Sequence, residues 1–436
     1  MNYFLLIGLL LLLSCNNSAT SNSSKEKVEV LNKEVAYPVK VSLQDAMKNV
    51  DNSITLASFV DSIEYIPLKL PEEHMLKFFK LYGYDEQEEL FFIGDIYQLL
   101  VINKRGELVN CIGKRGGGPG EYPQITDVSI DRINKYVYVY AGRLKKLFRY
   151  DYKGKFLKEM FRVDIGKFYT EIVYYNKDNF VTLSQMYHPG VDKIKDRLYG
   201  YGVMDTLGNL VHHTAPQCSQ INTNEDRYIG LMFNYQMTQF KDTKLLVPSG
   251  LADTIFTAEN NRIVPRYLLD YGDRKPKLEK IWESNNSIRM DNIFNSIFIM
   301  NPAYETDRFF LIKLRDKGTE YIVIHDKYLI KSYSTIYDYG IKDEKSSIPV
   351  SNLGFYNDLD GGLDAYPICM STDGNYWVSY IEAYNMLEIL NENHFSKHLN
   401  VRYPKQQENL KKILHKMKED DDQVLILMKL RKDVLE

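Results

Sequence analysis

A short unit of two apolar strands joined by a Gly- or Asn-containing turn recurs along the chain. Its spacing constrains the fold more than any other feature. The unit reads LLVINKRGELVNCIG from Leu99, KLFRYDYKGKFLKEM from Lys146, YGVMDTLGNLVHHT from Tyr201 and DTIFTAENNRIVPRY from Asp253. The turn residues Gly106, Gly154, Gly208 and Asn261 stand 48, 54 and 53 residues apart. Gly and Asn accept the positive φ that tight hairpin turns demand. A period near 50 with several strands per unit is the signature of propeller blades. The 34 Tyr and 20 Phe agree with it, since aromatic residues favour strands.

Each unit parses into four strands, A to D. The clearest spans Ile125 to Met160, with A at Ile125–Ile130, B at Tyr136–Tyr140, C at Lys146–Tyr150 and D at Lys155–Met160. Alternation is visible in VYVY and KFLKEM. Similar units start near Phe78, Tyr169, Met232 and Asn292. A sixth has only A, near Pro367–Met370, and B, at Tyr376–Ile381. Two apolar segments are left over, Val424–Leu430 and Ile63–Leu68. A ring of blades must close, so these two are expected to supply strands C and D of blade six. The fold class is therefore all-β: a six-bladed β-propeller of four-stranded antiparallel blades, closed by N- and C-terminal strands. One helix is inserted at about residues 394–420. Pro404 opens it, and Leu410, Ile413, Leu414 and Met417 recur at helical spacing, which predicts packing against the propeller.

The N-terminus reads as an export signal. Phe4–Leu13 is an apolar run of ten residues, long enough for a signal core and too short for a membrane span. Ser14 and Cys15 follow at once, and then the polar tract NNSATSNSS. The expected division is a signal peptide over 1–14, a flexible tether over 15–40 and the propeller over 41–436. The net charge of −3 argues against a nucleic-acid partner, because phosphate binders are usually strongly basic. Cys15 aside, Cys111, Cys218 and Cys369 remain, so at least one thiol is free.

Four strings resemble a known group. They are GGGPGEY over Gly116–Tyr122, DTIF…VPRYLLDYG over Asp253–Gly272, NDLDGGLDAYP over Asn357–Pro367 and EDDDQVLILMKL over Glu419–Leu430. Together they resemble the six-bladed propeller lipoproteins related to NHL repeats, over roughly Val60 to Leu430. Leu12-Leu13-Ser14-Cys15 likewise resembles the lipobox of bacterial lipoproteins, although Met1-Asn2-Tyr3 carries no Lys or Arg. The resemblance implies lipidation at Cys15, a membrane anchor and a location in the bacterial envelope, periplasmic or surface-exposed. It implies no particular reaction.

Candidate chemistry is sparse. Gly116–Gly120 lacks the Lys-Ser/Thr and helix that a phosphate loop needs, so it reads as a crossover between blades. Asp358, Asp360 and Asp364 echo a Ca²⁺ loop. Counted from Asp358, however, position twelve is Cys369 rather than Glu, and turn-forming carboxylates explain the cluster better. His394 and His398 are spaced as on one helix face but lack the Glu of a zinc motif. No cofactor or metal is expected.

Loop length points to one face. The A–B and C–D turns are short, whereas the B–C and inter-blade loops are long: Gln185–Tyr199, His213–Gly230, Tyr271–Asp291 and Tyr337–Tyr366. Long loops gathered on one face of a rigid scaffold mark the side that binds. The candidate ligand-binding residues are Arg115, Tyr122, Arg143, Tyr187, His188, Arg227, Tyr228, Arg274 and Asp360. Their mixed aromatic and charged chemistry suits a protein, peptide or glycan partner. The alternative is a propeller hydrolase or lyase acting on a small substrate at the channel mouth.

Overall fold

Blade 2 shows why these sequences form paired strands. Its strands are Asp127–Asp131, Tyr136–Ala141, Lys146–Asp151 and Phe156–Arg162, in antiparallel order. In strand B, Val137, Val139 and Ala141 pack toward blade 1, while Tyr138 and Tyr140 pack toward blade 3. A blade is covered on both sides, so its inner strands are apolar throughout and yet alternate in which neighbour they touch. The structure is a computed structural model. It describes residues 35–163, 169, 171–183, 200–214, 221–222, 227–228, 236–247, 253–275, 296–336 and 354–435.

Six antiparallel sheets of this kind form a six-bladed β-propeller. Its core is divided among six wedges, one between each pair of neighbouring blades. Phe92 with Val137 marks the wedge between blades 1 and 2, Tyr138 with Phe180 that between 2 and 3, and Val203 with Leu246 that between 3 and 4. Tyr267 with Phe310 fills the wedge between blades 4 and 5, and Leu311 with Trp377 that between 5 and 6. Phe91 with Leu425 joins blade 6 back to blade 1 and completes the circle.

Closure uses the two strands left over in the sequence. Val424–Leu430 is strand C of blade 6 and pairs on one side with Tyr376–Ile381. On the other side it pairs with Val60–Pro67, which is strand D, placing Ile63 opposite Met428 and Tyr65 opposite Ile426. The C–D turns carry the expected positive φ: 78° at Gly106, 83° at Gly154, 89° at Gly208 and 60° at Asn261.

Three features differ from expectation. Val39–Ser42 forms a strand parallel to Arg262–Asp270, giving blade 4 a fifth strand and ending the tether before residue 39. The helical insertion begins earlier than residue 394, with helices Ala383–Ile389, Glu392–Lys397 and Pro404–Lys416. Leu410 is buried, and Ile413, Leu414 and Met417 pack on the wedge between blades 5 and 6, as the spacing predicts. The loop Gly354–Tyr366 also joins this wedge, where Phe355 stacks on Trp377 at 6.2 Å. No helix among the described residues is long and apolar enough to cross a membrane. The signal peptide, Cys15 and most of the tether lie outside the described residues.

A buried ionic cluster fixes the chain where it joins blade 4. Tyr37 donates to Glu305 Oε1 at 2.9 Å, and the Arg266 guanidinium lies 3.9 Å from the Tyr37 ring centre. Arg266 grips both Glu305 oxygens, at 2.7 and 2.8 Å, and Lys327 Nζ adds a bond of 2.7 Å. These cations hold the Glu305 carboxyl down at about 2, against the opposing effect of burial. Glu305 ends strand A of blade 5 and Lys327 follows its strand C, so the cluster lies on the tight-turn face.

Candidate functional site: the central channel and its long-loop mouth

The first strand of every blade lines the axis. These strands are Lys80–Asp85, Asp127–Asp131, Glu171–Asn176, Gln236–Phe240, Phe298–Glu305 and Cys369–Met370. Between them lies a cavity of about 300 Å³. Each strand A follows an inter-blade loop and leads into an A–B turn. Its beginning therefore faces the long loops and its end faces the tight turns.

The first residues of three consecutive strands bring charge to the long-loop mouth. Lys80 Nζ stands 3.7 Å from Asp127 Oδ1, with the Lys80 side chain half exposed. Asp127 Oδ2 accepts from the Ile172 amide at 3.1 Å. Glu171, the first residue of the next strand, lines the same cavity. Burial, reinforced by the Asp127 charge, pushes the Glu171 carboxyl up to about 8, and the Lys80 ammonium only partly offsets this. Burial also raises Asp127, opposed by Lys80 and by backbone N–H groups. The mouth thus holds an ammonium and two carboxyl groups whose hold on their protons is raised by burial. Such a set donates and accepts hydrogen bonds and can pass a proton. The wall adds Tyr82, Ser129, Thr238 and Tyr304.

The tight-turn end is strapped across. Arg132, in the A–B turn of blade 2, pairs with Asp373 of blade 6 and stands 3.5 Å from Asp242 of blade 4. Gln87 of blade 1 holds Asp373 at 2.8 Å. Contacts among alternate blades require the turns to crowd together over the axis. Lys244 is buried just inside this end and donates to Gln239, and burial lowers its ammonium to about 7.

The residues singled out from sequence do not converge on one site. Arg115 is exposed beside the glycine-rich loop, its guanidinium 4.3 Å from the Tyr97 ring centre. Arg143 is exposed in the B–C turn of blade 2, at a second cavity. Tyr122 is corrected to a core residue: it is fully buried and donates to the Ile112 carbonyl at 2.5 Å. Asp360 is likewise buried, and its Oδ1 accepts from Asn357 Nδ2 at 2.8 Å and from the Gly362 amide at 2.9 Å. Arg274 is paired with Asp316. Tyr187 and His188 lie outside the described residues. Arg227–Tyr228 forms a two-residue strand against Ile221–Asn222.

Asp358 and Asp364 are likewise held by hydrogen bonds within the protein. Asp358 accepts from the Ala57 amide and from Arg402, each at 3.0 Å, and Asp364 accepts from the Asn357 amide at 3.0 Å. His394 and His398 stack on each other at 4.2 Å and bond to backbone carbonyls. No cluster of three or more His, Cys, Asp or Glu suited to a metal occurs among the described residues. Cys111 and Cys369 are free thiols. The glycine-rich string is the expected crossover: Lys114–Arg115 pairs in parallel with Glu121–Tyr122, and Glu121 caps the Gly118 amide at 2.8 Å.

Sequence reasoning missed Lys80, Asp127 and Glu171. The signal was their shared place in the repeat: 47 and 44 residues apart, each opening a strand A.

A family model described as a domain of unknown function, DUF4934, matches residues 38–429. A crystal structure of a "putative exported protein" of Bacteroides fragilis NCTC 9343 superposes with a TM-score of 0.58 at 17% identity. The match covers 90% of this chain and 99% of that one, a likeness of fold. A member of the DUF4221 family from Bacteroides vulgatus gives a TM-score of 0.44 at 10% identity, covering 85% and 97%. No curated protein matches the chain.

Proposed function

We propose that this chain, which belongs to the DUF4934 family, is a bacterial envelope lipoprotein that binds a polar ligand or a peptide or glycan partner through the long-loop face of its propeller. One observation carries the binding reading: Lys80, Asp127 and Glu171, from three consecutive blades, meet at the channel mouth on that face. A scaffold with no ligand has no use for a carboxyl buried beside a second one, because each costs stability. The anchor reading rests on the Leu12-Leu13-Ser14-Cys15 string and the polar tract after it. The fold is also that of a protein whose name calls it exported.

Both parts have direct tests. Expressed with its own N-terminus, the chain is expected in the membrane fraction and labelled by a palmitate analogue, and Cys15→Ala removes both. Acyl labelling of Cys15→Ala would end the lipoprotein reading. For binding, detergent-solubilised protein is screened by thermal shift against amino acids, polyamines and oligosaccharides. The double variant Lys80→Met/Glu171→Gln is expected to weaken any ligand found at least tenfold. A ligand held equally by the double variant places the seat elsewhere.

A second reading, a propeller hydrolase or lyase, draws on the same pair. Glu171 and Asp127, two neighbouring carboxyls that both hold their protons more tightly than usual, are the kind of pair that shares acid and base roles. Turnover lost in Glu171→Gln while binding persists would favour it.

A further inference from the structure

On the outer flank of blade 2, with Arg143 and Arg162 at its long-loop end, a second cavity of about 600 Å³ lies under the glycine-rich loop. Its walls are that loop, the B–C turn of blade 2 and strand D of the same blade. The floor is aromatic, with the Phe156 ring packed so closely on Gly120 that a Cβ there would fall 2.4 Å from it. Gly117 faces open space.

The charges of this cleft are unbalanced. Lys146 is directly opposite Arg162 in the ladder between strands C and D, and Arg143 stands in the turn just before Lys146. Like charges placed opposite each other repel unless an anion lies between them. Glu159 answers one cation, Lys146 Nζ at 2.6 Å. Glu121 answers none of the three: it is held by Lys114 at 2.9 Å and by the Gly118 amide at 2.8 Å. Arg143 and Arg162 are left without a carboxylate among the described residues. Each presents a planar fork that matches one carboxylate in bidentate fashion.

We infer that this cleft is an anion-binding site for a small organic dicarboxylate, with Arg143 and Arg162 each taking one carboxylate above an aromatic floor of Phe148 and Phe156. The two arginines come from separate elements on either side of Lys146, which favours two spaced charges over a single compact dianion.

The experiment is calorimetry of the full chain with succinate at low ionic strength, with inorganic phosphate as the compact dianion. Succinate is expected to bind, and more tightly than phosphate. Arg143→Gln and Arg162→Gln should each weaken it at least tenfold, and Lys80→Met, at the channel, should leave it unchanged. Without succinate, Arg162→Gln should melt at or above the wild-type temperature, because a repulsion is removed. Absence of succinate binding to the folded protein overturns the inference. So does binding that survives the double arginine variant, and so does phosphate binding at least as tightly as succinate.

Discussion

Deleting residues 421–436 removes one strand from a chain of 436, yet the loss is expected to unfold the domain. Val424–Leu430 is an interior strand, paired on both edges. Val424, Leu425, Ile426, Leu427, Met428 and Leu430 are all at most 3% exposed. At about 1.5–3 kcal/mol for each buried side chain, the strand contributes roughly 9–18 kcal/mol. That matches or exceeds the 5–15 kcal/mol typical of a whole domain. The deletion also uncovers the edges of Tyr376–Ile381 and Val60–Pro67, which invites aggregation. Single substitutions sharpen the test. Leu427 packs between blades 6 and 1 and Met428 between blades 5 and 6, so Leu427→Ala and Met428→Ala should each cost about 2–5 kcal/mol. Lys429 is exposed, and Lys429→Ala should be nearly neutral. Urea and thermal unfolding followed by far-ultraviolet circular dichroism, with size-exclusion chromatography, measure all four. A monomeric truncation with the native melting temperature would refute ring closure, and so would a neutral result at either Leu427 or Met428.

Other perturbations follow from local geometry. Gly154→Val should destabilise by more than about 1 kcal/mol, since φ is 83° and a Cβ there lies 2.1 Å from the Cys111 carbonyl oxygen. Gly318→Val, at a φ of 84° but with nothing within 4 Å, should cost less, and equal losses in thermal melts would contradict this. Glu305→Gln should cost about 3–5 kcal/mol by leaving Arg266 and Lys327 unbalanced in the interior, and a melting temperature within a degree of wild type would count against it. The Glu305 contribution is present above the ordinary glutamate range and fades as pH falls toward 2, because the folded carboxyl is depressed. Lys244 acts in the opposite pH range. Its folded ammonium titrates near 7, so the unfolded chain binds more protons from there up to about 10.5. Stability should rise with pH across that window by up to about 1.4 kcal/mol per unit, and Lys244→Met should remove that slope. Parallel melts from pH 7 to 9.5 that fail to separate the two proteins would exclude a neutral Lys244.

The parts of the fold that were legible are those where one residue type has one physical use. Gly106, Gly154 and Gly208 announce positive φ, and VLILMKL can only be buried on both faces. Val39–Ser42 is short and half polar, and its partner Arg262–Asp270 lies more than 200 residues away, so nothing local marks it as a strand. Tyr122 and Asp360 misled for a related reason. A polar side chain in a glycine-rich loop looks the same in sequence whether it reaches solvent or props the loop from inside. The channel residues escaped because a charged residue at the start of a strand ordinarily belongs to the solvent edge. In a propeller that edge is the rim of the axis, and the repeat, rather than any motif, brings Lys80, Asp127 and Glu171 together.

The two faces of the disc are chemically unlike, and the asymmetry bears on how an anchored protein would work. On the tight-turn face, Arg132 straps the axis to blades 4 and 6, and the Tyr37–Glu305–Lys327 cluster pins the incoming chain. The ionic groups of that strap and that cluster are paired with one another. On the long-loop face, the channel mouth holds Glu171 beside the buried Asp127, and the cleft on the outer flank of blade 2 holds two guanidiniums with no carboxylate partner among the described residues. Tyr37, near the start of the described chain, is pinned on the tight-turn side. With the anchor proposed at Cys15, the first contact of the described chain with the propeller lies on this strapped face. The segment from Tyr37 first pairs with blade 4 through Val39–Ser42 and becomes strand D of blade 6 within about 25 residues, so a pull on an anchor at Cys15 would bear on the Tyr37 cluster, the blade 4 edge and the closing ladder before it reached blades 1 to 3.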